Sequence, residues 1–457
     1  MDNKNKIAII GTGYVGLISG ACFAELGFPV ICVDKDRNKM DELNKGLCPI
    51  YEPSLTHLIR KNLLSKRLEF THSVSEAILK SQIIFIAVGT PIDKNGQTDI
   101  CEVENIAQLL APLLKDYKVI VIKSTVPVGT GRRIAEIIRT ISPHAFFDIV
   151  SNPEFLRAGS GIQDFMDPDR IIIGSEGGSS YAIMKNLYHS FIKQRIPVLF
   201  TDLETAELIK YAANGFLATK IAFVNEMAHL SEKLGTNIDD VLYGMGLDKR
   251  IGHHYLKPGP GFGGSCLSKD ALTLISIAEK IKAPCHILTS VLGSNVRHKN
   301  QMLEKIIGAC SGSVANKRLA ILGVSFKSNT DDIRNSSSLT IISHLEAKGA
   351  ILNIYDPVVK KNQMLSHKNL HWNTNMYDSI KNVDAIVIMT EWDEFIKLDL
   401  KKVYSCLRHT LIKPTIIDFR NLYSPAVVAK AGIRYISMGR LPVEPIYSRN
   451  QETISYH

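Results

Sequence analysis

The sequence predicts an α/β protein with two Rossmann-like, doubly wound domains joined by a long central helix. Three observations lead there: a strand, glycine turn, helix, strand unit at the N-terminus; a helical pattern of about thirty residues beginning after residue 201; and a fainter strand, turn, helix, strand echo over 317–357. The opening unit is KIAIIGTGYVGLISGACFAELGFPVICVDKD, with Gly27 near the helix end and Asp34 closing the second strand. Its turn, GTGYVG, contributes Gly11, Gly13, Tyr14, Val15 and Gly16. The first glycine permits the tight turn, the second lets a pyrophosphate approach the backbone, and the third lets helix and strand pack closely. Asp34 stands eighteen residues after Gly16, where a carboxylate hydrogen-bonds a ribose 2′-hydroxyl and repels a 2′-phosphate. NAD is therefore the expected cofactor, and the neighbouring Lys35 leaves a tolerance for NADP open.

Strand-like runs continue at 83–91, 118–127, 148–155 and 170–174, separated by helix-length stretches, so the first ~200 residues fit a doubly wound parallel sheet. The long helical pattern that follows carries Thr201 and Glu204 as a capping box and Gly235 as its exit. A helix of that length, roughly 45 Å at 1.5 Å per residue, connects domains or lies in a subunit interface. The echo over 317–357 ends in Asp356 but lacks GxGxxG, and strand-like runs at 384–390 and 415–420 follow it. A second Rossmann-like domain is expected that does not bind a dinucleotide in the same way. The expected division is 1–200 for the NAD-binding domain, 201–300 for a central helical region with the cysteine loop, and 301–457 for the C-terminal domain, with a polar tail after about 440.

Composition narrows the classes. The chain has 457 residues, 45% apolar, enough for two or three cores. Its longest apolar runs fall far short of the ~20 residues that cross a bilayer, and a cytoplasmic location is expected. The eight cysteines show neither CxxC nor metal-ligand spacing and read as reduced thiols, with Cys22 and Cys32 as small buried hydrophobes. The adjacent His253 and His254 have no further ligand cluster, so no metal is expected. A net charge of +9 without basic runs interleaved with aromatics favours scattered lysines and an anion pocket over nucleic acid.

One stretch needs a chemical account: GPGFGGSCLSKD, residues 259–270. Its glycines suggest backbone packed close to a ligand. If a helix begins near Ser265, Cys266 sits at its N-terminus, where the helix dipole stabilises a thiolate and makes it a nucleophile near neutral pH. The plainer reading is a buried, inert cysteine at a helix start. Lys210 and Asn214 lie on one face of the long helix at i and i+4; taken alone they read as a solvated helix face.

GTGYVG, VGTP (88–91), STVPVGT (124–130), NPEFLRAG (152–159), Lys210 with Asn214, DKRIG (248–252), GFGGSCLSKD (261–270), FKSNTDDIR (326–334) and DFRNLY (418–423) occur in the order found in nucleotide-sugar 6-dehydrogenases. From near residue 5 to about 440 the chain resembles the UDP-glucose/GDP-mannose dehydrogenase family. The resemblance implies a four-electron oxidation of UDP-glucose to UDP-glucuronate with two NAD, Cys266 passing through a thiohemiacetal and a thioester. It implies that Lys210 and Asn214 stabilise the developing oxyanion, and that Asp270, Thr125 and Glu154 position and activate water, Glu154 acting as base. Val88, Thr90 and Arg334 match positions that hold NAD, with Thr125 and Glu154 beside it. Glu154, Phe155, Leu156, Lys210, Asn214, Tyr255, Lys257, Phe262, Gly263, Lys327 and Arg420 match substrate contacts. Arg250 resembles the arginine that reaches a neighbouring subunit's site, which implies a homodimer or larger homo-oligomer.

GFGGSC favours the UDP-glucose branch. GDP-mannose and UDP-N-acetylhexosamine enzymes are the alternatives, and a two-electron hydroxyacyl-type dehydrogenase would not need Cys266. The chain departs from the usual pattern at Ala158, Ser268, Phe419 and NSSS (335–338). Ser268 is expected to loosen the cysteine loop, and Phe419, beside Arg420, to bear on the nucleotide pocket.

Overall fold

The computed structural model describes residues 5–93, 96–363, 369–409 and 413–446. The chain forms two compact units, one of Met1–Asn214 with Leu272–Pro284, the other of Gly215–Ala271 with Cys285–His457. In the first, eight short strands form one sheet: β1 (Ile7–Ile10), β2 (Val30–Val33), β3 (Leu68–Thr71), β4 (Ile83–Ile86), β5 (Lys118–Ile122), β6 (Phe147–Ser151), β7 (Ile171–Ser175) and β8 (Val198–Thr201). Their order is β3-β2-β1-β4-β5-β6-β7-β8. IAII, VICV, IIFI and KVIVI are buried along their whole length, as expected for parallel strands covered by helices on both faces. β2 and β4 flank β1, and the strand order reverses there, so the GxGxxG turn after β1 stands at the topological switch point.

The expected parallel sheet is corrected at one edge. β6 and β7 pair antiparallel, Val150 opposite Ser175 and Ser151 opposite Gly174, and β8 then runs parallel to β7. The apolar run at 170–174 shows that a strand exists but not its direction, which the connection through residues 152–170 sets.

In the second unit six parallel strands, β9 (Arg318–Leu322), β10 (Ile351–Tyr355), β11 (Leu370–Trp372), β12 (Ala385–Ile388), β13 (Thr415–Asp418) and β14 (Arg434–Ser437), take the order β11-β10-β9-β12-β13-β14. This is the Rossmann order again, without its glycine fingerprint. Asp356, at the position equivalent to Asp34, is consumed internally: its oxygens accept from the N–H groups of Val324, Ser325, Val358 and Val359. Most of the expected polar tail, residues 447–457, lies outside the described residues.

The long helix spans Leu203–Leu234, 32 residues, and carries the chain from the first unit into the second. Its start differs from expectation. Asp202 is the cap, its carboxylate accepting from the N–H (2.7 Å) and hydroxyl (2.7 Å) of Thr205. Thr201 is the last residue of β8, and Glu204 is drawn to Arg132. Because the helix starts one residue later than the Thr-x-x-Glu spacing implies, the carboxylate at 202 rather than the hydroxyl at 201 reaches the free N–H groups of the first turn. Gly235, at φ +72°, ends the helix as expected. Among the described residues no helix is long and apolar enough to cross a membrane.

Candidate active site

The glycine turn is built as its spacing predicts. A Cβ on Gly11 would meet the Ala87 carbonyl oxygen at 2.6 Å and one on Gly16 the Gly11 oxygen at 1.9 Å, whereas a Cβ on Gly13 would meet nothing within 4 Å. The outer glycines serve packing, and Gly13 leaves its backbone open to a ligand. Asp34 Oδ2 accepts from the Thr12 hydroxyl (2.6 Å), the Thr12 N–H (3.0 Å) and Lys39 Nζ (3.0 Å), and Oδ1 from the Asp36 N–H. Burial would raise the Asp34 pKa, but these donors hold it down to about 2, so it stays an anion and an acceptor for a ribose hydroxyl. The cation beside it is Lys39, one helical turn on. Lys35 points away to Glu102 (2.6 Å). These residues fit a dinucleotide carrying a free 2′-hydroxyl.

Around this turn the strand ends are tied together. Thr90 donates its hydroxyl to the Thr125 carbonyl (2.9 Å) and Ser124 its hydroxyl to the Val88 carbonyl (2.7 Å), which brings Val88, Thr90 and Thr125 to one edge. The Tyr14 hydroxyl donates to Glu52 (2.7 Å) and to the Arg157 carbonyl. Glu52, buried, also accepts from the N–H groups of Gly159 and Gly161, both at 2.7 Å, and so anchors the 152–161 loop to the helix that follows the glycine turn. On that loop Glu154 Oε1 accepts from Lys210 Nζ (3.1 Å), and Oε2 from the Leu156 N–H (2.5 Å). Both partners of the ion pair are buried, 7% and 4% exposed. Phe155 has the Arg170 guanidinium 3.6 Å from its ring centroid and Lys210 at 5.3 Å. Thus Glu154, Phe155 and Lys210 are brought together as expected, while Glu52, Lys123 and Arg170 join this unit's polar framework without any motif having signalled them.

In the second unit, Cys266 is exposed and immediately precedes the helix Leu267–Lys280, its carbonyl accepting from the Asp270 N–H (2.8 Å). It therefore holds the N-cap position, where free N–H groups and the helix dipole favour a thiolate. Asp270, one turn on, is 1% exposed and paired with Lys269 (3.1 Å). Cys22 and Cys32 are the contrast: both are fully buried, and burial raises their thiols to about 12.

The glycines before Cys266 admit protein. A Cβ on Gly261 would meet Asn295 Oδ1 at 2.8 Å, one on Gly263 the Asn335 carbonyl oxygen at 2.5 Å, and one on Gly264 the Phe326 ring at 3.1 Å. Asn295 also accepts from the Phe262 N–H and donates to its carbonyl, and the Gly264 N–H donates to the Arg334 carbonyl (2.9 Å). NSSS is the other side of this seam: the Ser337 hydroxyl donates to the Gly261 carbonyl (3.2 Å), and Ser336 caps the following helix. Arg334, expected at the cofactor, lends its backbone carbonyl to this seam, and its side chain pairs with Asp332. Its pKa is raised by the Asp332 hydrogen bond against the opposing effect of burial, and Cys266 acts in the same direction as Asp332. A guanidinium facing the cysteine adds to the helix end in favouring the thiolate.

Phe419, expected to bear on the nucleotide pocket, has its ring fully buried in the hydrophobic core. Arg420 donates to the carbonyls of Met389 (2.8 Å) and Phe326 (3.1 Å) and pairs with Glu391 (3.0 Å). Ser268 lies in the first helical turn, where an N–H has no partner within the helix, so serine and proline are both accommodated. Arg250 is highly exposed and pairs with Asp248 (2.6 Å). Tyr255 has φ +63°, Lys257 is exposed, Lys327 lies 5.8 Å from the Phe326 ring centroid, and His253 stacks on Tyr243.

A glycine turn at the switch point of an eight-stranded sheet, with an ionised aspartate at the end of β2, defines a dinucleotide-binding protein of the Rossmann class. Three models of the UDP-glucose/GDP-mannose dehydrogenase family match the chain in succession: the NAD binding domain over residues 5–192, the central domain over 204–297 and the UDP binding domain over 320–425. The UDP-glucose 6-dehydrogenase of Rhizobium meliloti is 44% identical over 438 residues, covering 95% of this chain and 99% of the relative. The Bacillus subtilis enzyme TuaD, of the same name, is also 44% identical, over 95% and 93% of the two chains. Among solved structures, a UDP-glucose dehydrogenase from Pyrobaculum islandicum is 32% identical with a TM-score of 0.86, covering 96% of this chain and 98% of that one. The chain belongs to the UDP-glucose/GDP-mannose dehydrogenase family and is an NAD-dependent dehydrogenase.

Proposed function

We propose that this protein oxidises UDP-glucose to UDP-glucuronate through a covalent intermediate on Cys266, forming two NADH per sugar. The observation that carries this reading is an exposed thiol at the N-cap of a helix, with a buried aspartate one turn below it. NAD, when bound, supplies the hydride acceptor. Loss of a hydride from C6 and of the hydroxyl proton gives an aldehyde. The Cys266 thiolate adds to the carbonyl carbon, and the oxygen takes a proton to form a thiohemiacetal. Loss of a second hydride and the hydroxyl proton leaves a thioester. Water then attacks the acyl carbon, the C–S bond breaks, and the sulfur departs as thiolate. Lys210 and Asn214 donate to the oxygen that bears negative charge as each tetrahedral state forms. Glu154, with Thr125 and Asp270, takes the proton of the attacking water.

Phe155, Leu156, Lys257, Phe262, Lys327 and Arg420 bind the nucleotide sugar, the cations matching its diphosphate. The protein works as a homodimer or larger homo-oligomer in which Arg250 serves a neighbouring subunit. Support for association is the row of exposed apolar side chains at sevenfold spacing on the long helix, Phe216, Phe223 and Leu230. The test is the ratio of NADH formed to UDP-glucose consumed, with GDP-mannose and UDP-N-acetylhexosamines run in parallel. Two per UDP-glucose is expected; one would identify a simple alcohol dehydrogenase, and two only with another sugar would reassign the substrate. Cys266→Ser should abolish steady-state turnover, and unchanged NADH production by that variant would eliminate the thioester route.

A further inference from the structure

We propose that Lys123 is a positioning residue for this reaction: its ammonium fixes Asn152, and through the Asn152–Pro153–Glu154 turn it fixes the carboxylate that Lys210 shares. The proposal rests on the reading above, in which Glu154 and Lys210 act on the substrate. Lys123 follows β5 directly, its N–H donating to the Ile86 carbonyl (2.9 Å), and its side chain is 5% exposed. Nζ donates to Asn152 Oδ1 (3.1 Å), the same oxygen accepts the Tyr188 hydroxyl (2.6 Å), and Asn152 Nδ2 donates to the Ile172 carbonyl (2.7 Å). With both faces of its amide engaged and its own N–H on the Ile122 carbonyl (2.9 Å), Asn152 has one orientation. Two residues later the chain presents Glu154 to Lys210.

If this lysine only filled space, a methionine or leucine would serve better, because a buried ammonium is costly to desolvate. Here it interacts electrostatically with Glu154 and Lys210, with Tyr188 meeting it on Asn152 and Arg170 also acting on Glu154. Two ammonium groups and one carboxylate leave an excess positive charge. Burial lowers the Lys123 pKa to about 8, Glu154 opposing and Lys210 adding to that shift. Below that pH the Lys123 ammonium is charged and holds Asn152 Oδ1 firmly; above it the charge is lost and the hold on the turn that presents Glu154 to Lys210 weakens.

The experiment is the pH dependence of kcat and kcat/KM for UDP-glucose, over pH 6.5–9.5, in the wild type, Lys123→Met, Lys123→Arg and Tyr188→Phe. The wild type should show a transition near pH 8. Lys123→Met should lose it and lower kcat roughly tenfold at pH 7, in line with what small misplacements of reacting groups cost. Lys123→Arg, whose cation does not titrate in this range, should also lose the transition while keeping more of the rate. Tyr188→Phe, which removes the other donor to Asn152, should keep it. A wild-type profile flat across pH 7–9, or Lys123 variants that retain the wild-type transition, would overturn the proposal. A wild type that forms no NADH from UDP-glucose would overturn the functional reading beneath it.

Discussion

Glu207, on the long helix, accepts from the N–H groups of Gly129 (2.6 Å) and Gly131 (2.8 Å) at the start of the helix Thr130–Ile141. Two such bonds would ordinarily hold a carboxylate down. Burial outweighs them and raises its pKa to about 7. The folded state therefore keeps the Glu207 proton up to about pH 7, while the unfolded chain releases it near the ordinary value of 4.5. Its contribution to stability is full below pH 4.5, falls as pH rises through the window 4.5–7, and is level above it. The fall amounts to roughly 3 kcal/mol at 1.36 kcal/mol per pKa unit. Glu207→Ala removes this titration, so the stability of the wild type relative to that variant should fall by about 2–3 kcal/mol between pH 5 and pH 8 in urea unfolding. A difference that does not change with pH would mean that the two helix-end N–H bonds dominate after all.

Residues differ in how much of their role a sequence exposes. Gly11, Gly16 and Asp34 are legible because their constraints are local: a turn, a close helix and a strand end at fixed spacing. Lys123 sits in KVIVIKSTVP, and a lysine ending a strand reads as a surface residue; only Asn152, on another strand's exit, makes it internal. Glu52 and Lys39 have the same character, since what they hold is remote in sequence or one turn away on a helix that reads as solvated. Phe419 fails the other way: adjacency to Arg420 suggests a pocket, but in the turn that follows β13 its ring is fully buried in the core while Arg420 reaches the Met389 and Phe326 carbonyls.

At the level of elements, the cysteine loop shows how a correct motif acquires a different physical reason. Its glycines suggest room for a ligand, yet the atoms nearest their missing side chains belong to residues 295, 326 and 335. A single sequence carries no sign of that seam, because its two sides lie from 33 to 76 residues apart. The loop is fastened at Phe262 by Asn295, at Gly264 by the Arg334 carbonyl and at Gly261 by Ser337, so Cys266 leaves a fixed backbone into its helix. Gly263→Ala would drive a Cβ against the Asn335 carbonyl, a backbone atom with no rotamer to escape into. The variant should lose about 1–3 kcal/mol in thermal or urea unfolding, as overpacked sites do, and its Cys266 should react more slowly with a thiol reagent. Wild-type stability together with wild-type thiol reactivity would show that the seam does not hold the cysteine.

At the scale of the whole molecule, the apolar surface of the second unit asks for a partner. Phe216, Phe223 and Leu230 recur every seven residues on the long helix, with Leu234 one turn further, and they are 66%, 45%, 46% and 67% exposed. Sevenfold spacing keeps a seam on one face of a helix for several turns before it drifts, which suits contact with another helix over a limited length. Tyr243 on the helix Ile238–Gly246, Leu247 just after it, and Ile287 and Val296 on His286–Ala309 are exposed in the same unit. Single exposed apolar residues are ordinary, but a row of large ones along one helix is a candidate interface, and a second copy of the chain would bring the same row of side chains. Phe223→Glu would place a charge in the centre of that row and, in the partner copy, face it with the same charge. Light scattering behind size exclusion should therefore find the wild type as a dimer or larger and Phe223→Glu as a monomer that keeps its NAD affinity. A wild type that is monomeric at micromolar concentration, or a variant that associates as the wild type does, would remove the long helix from the interface.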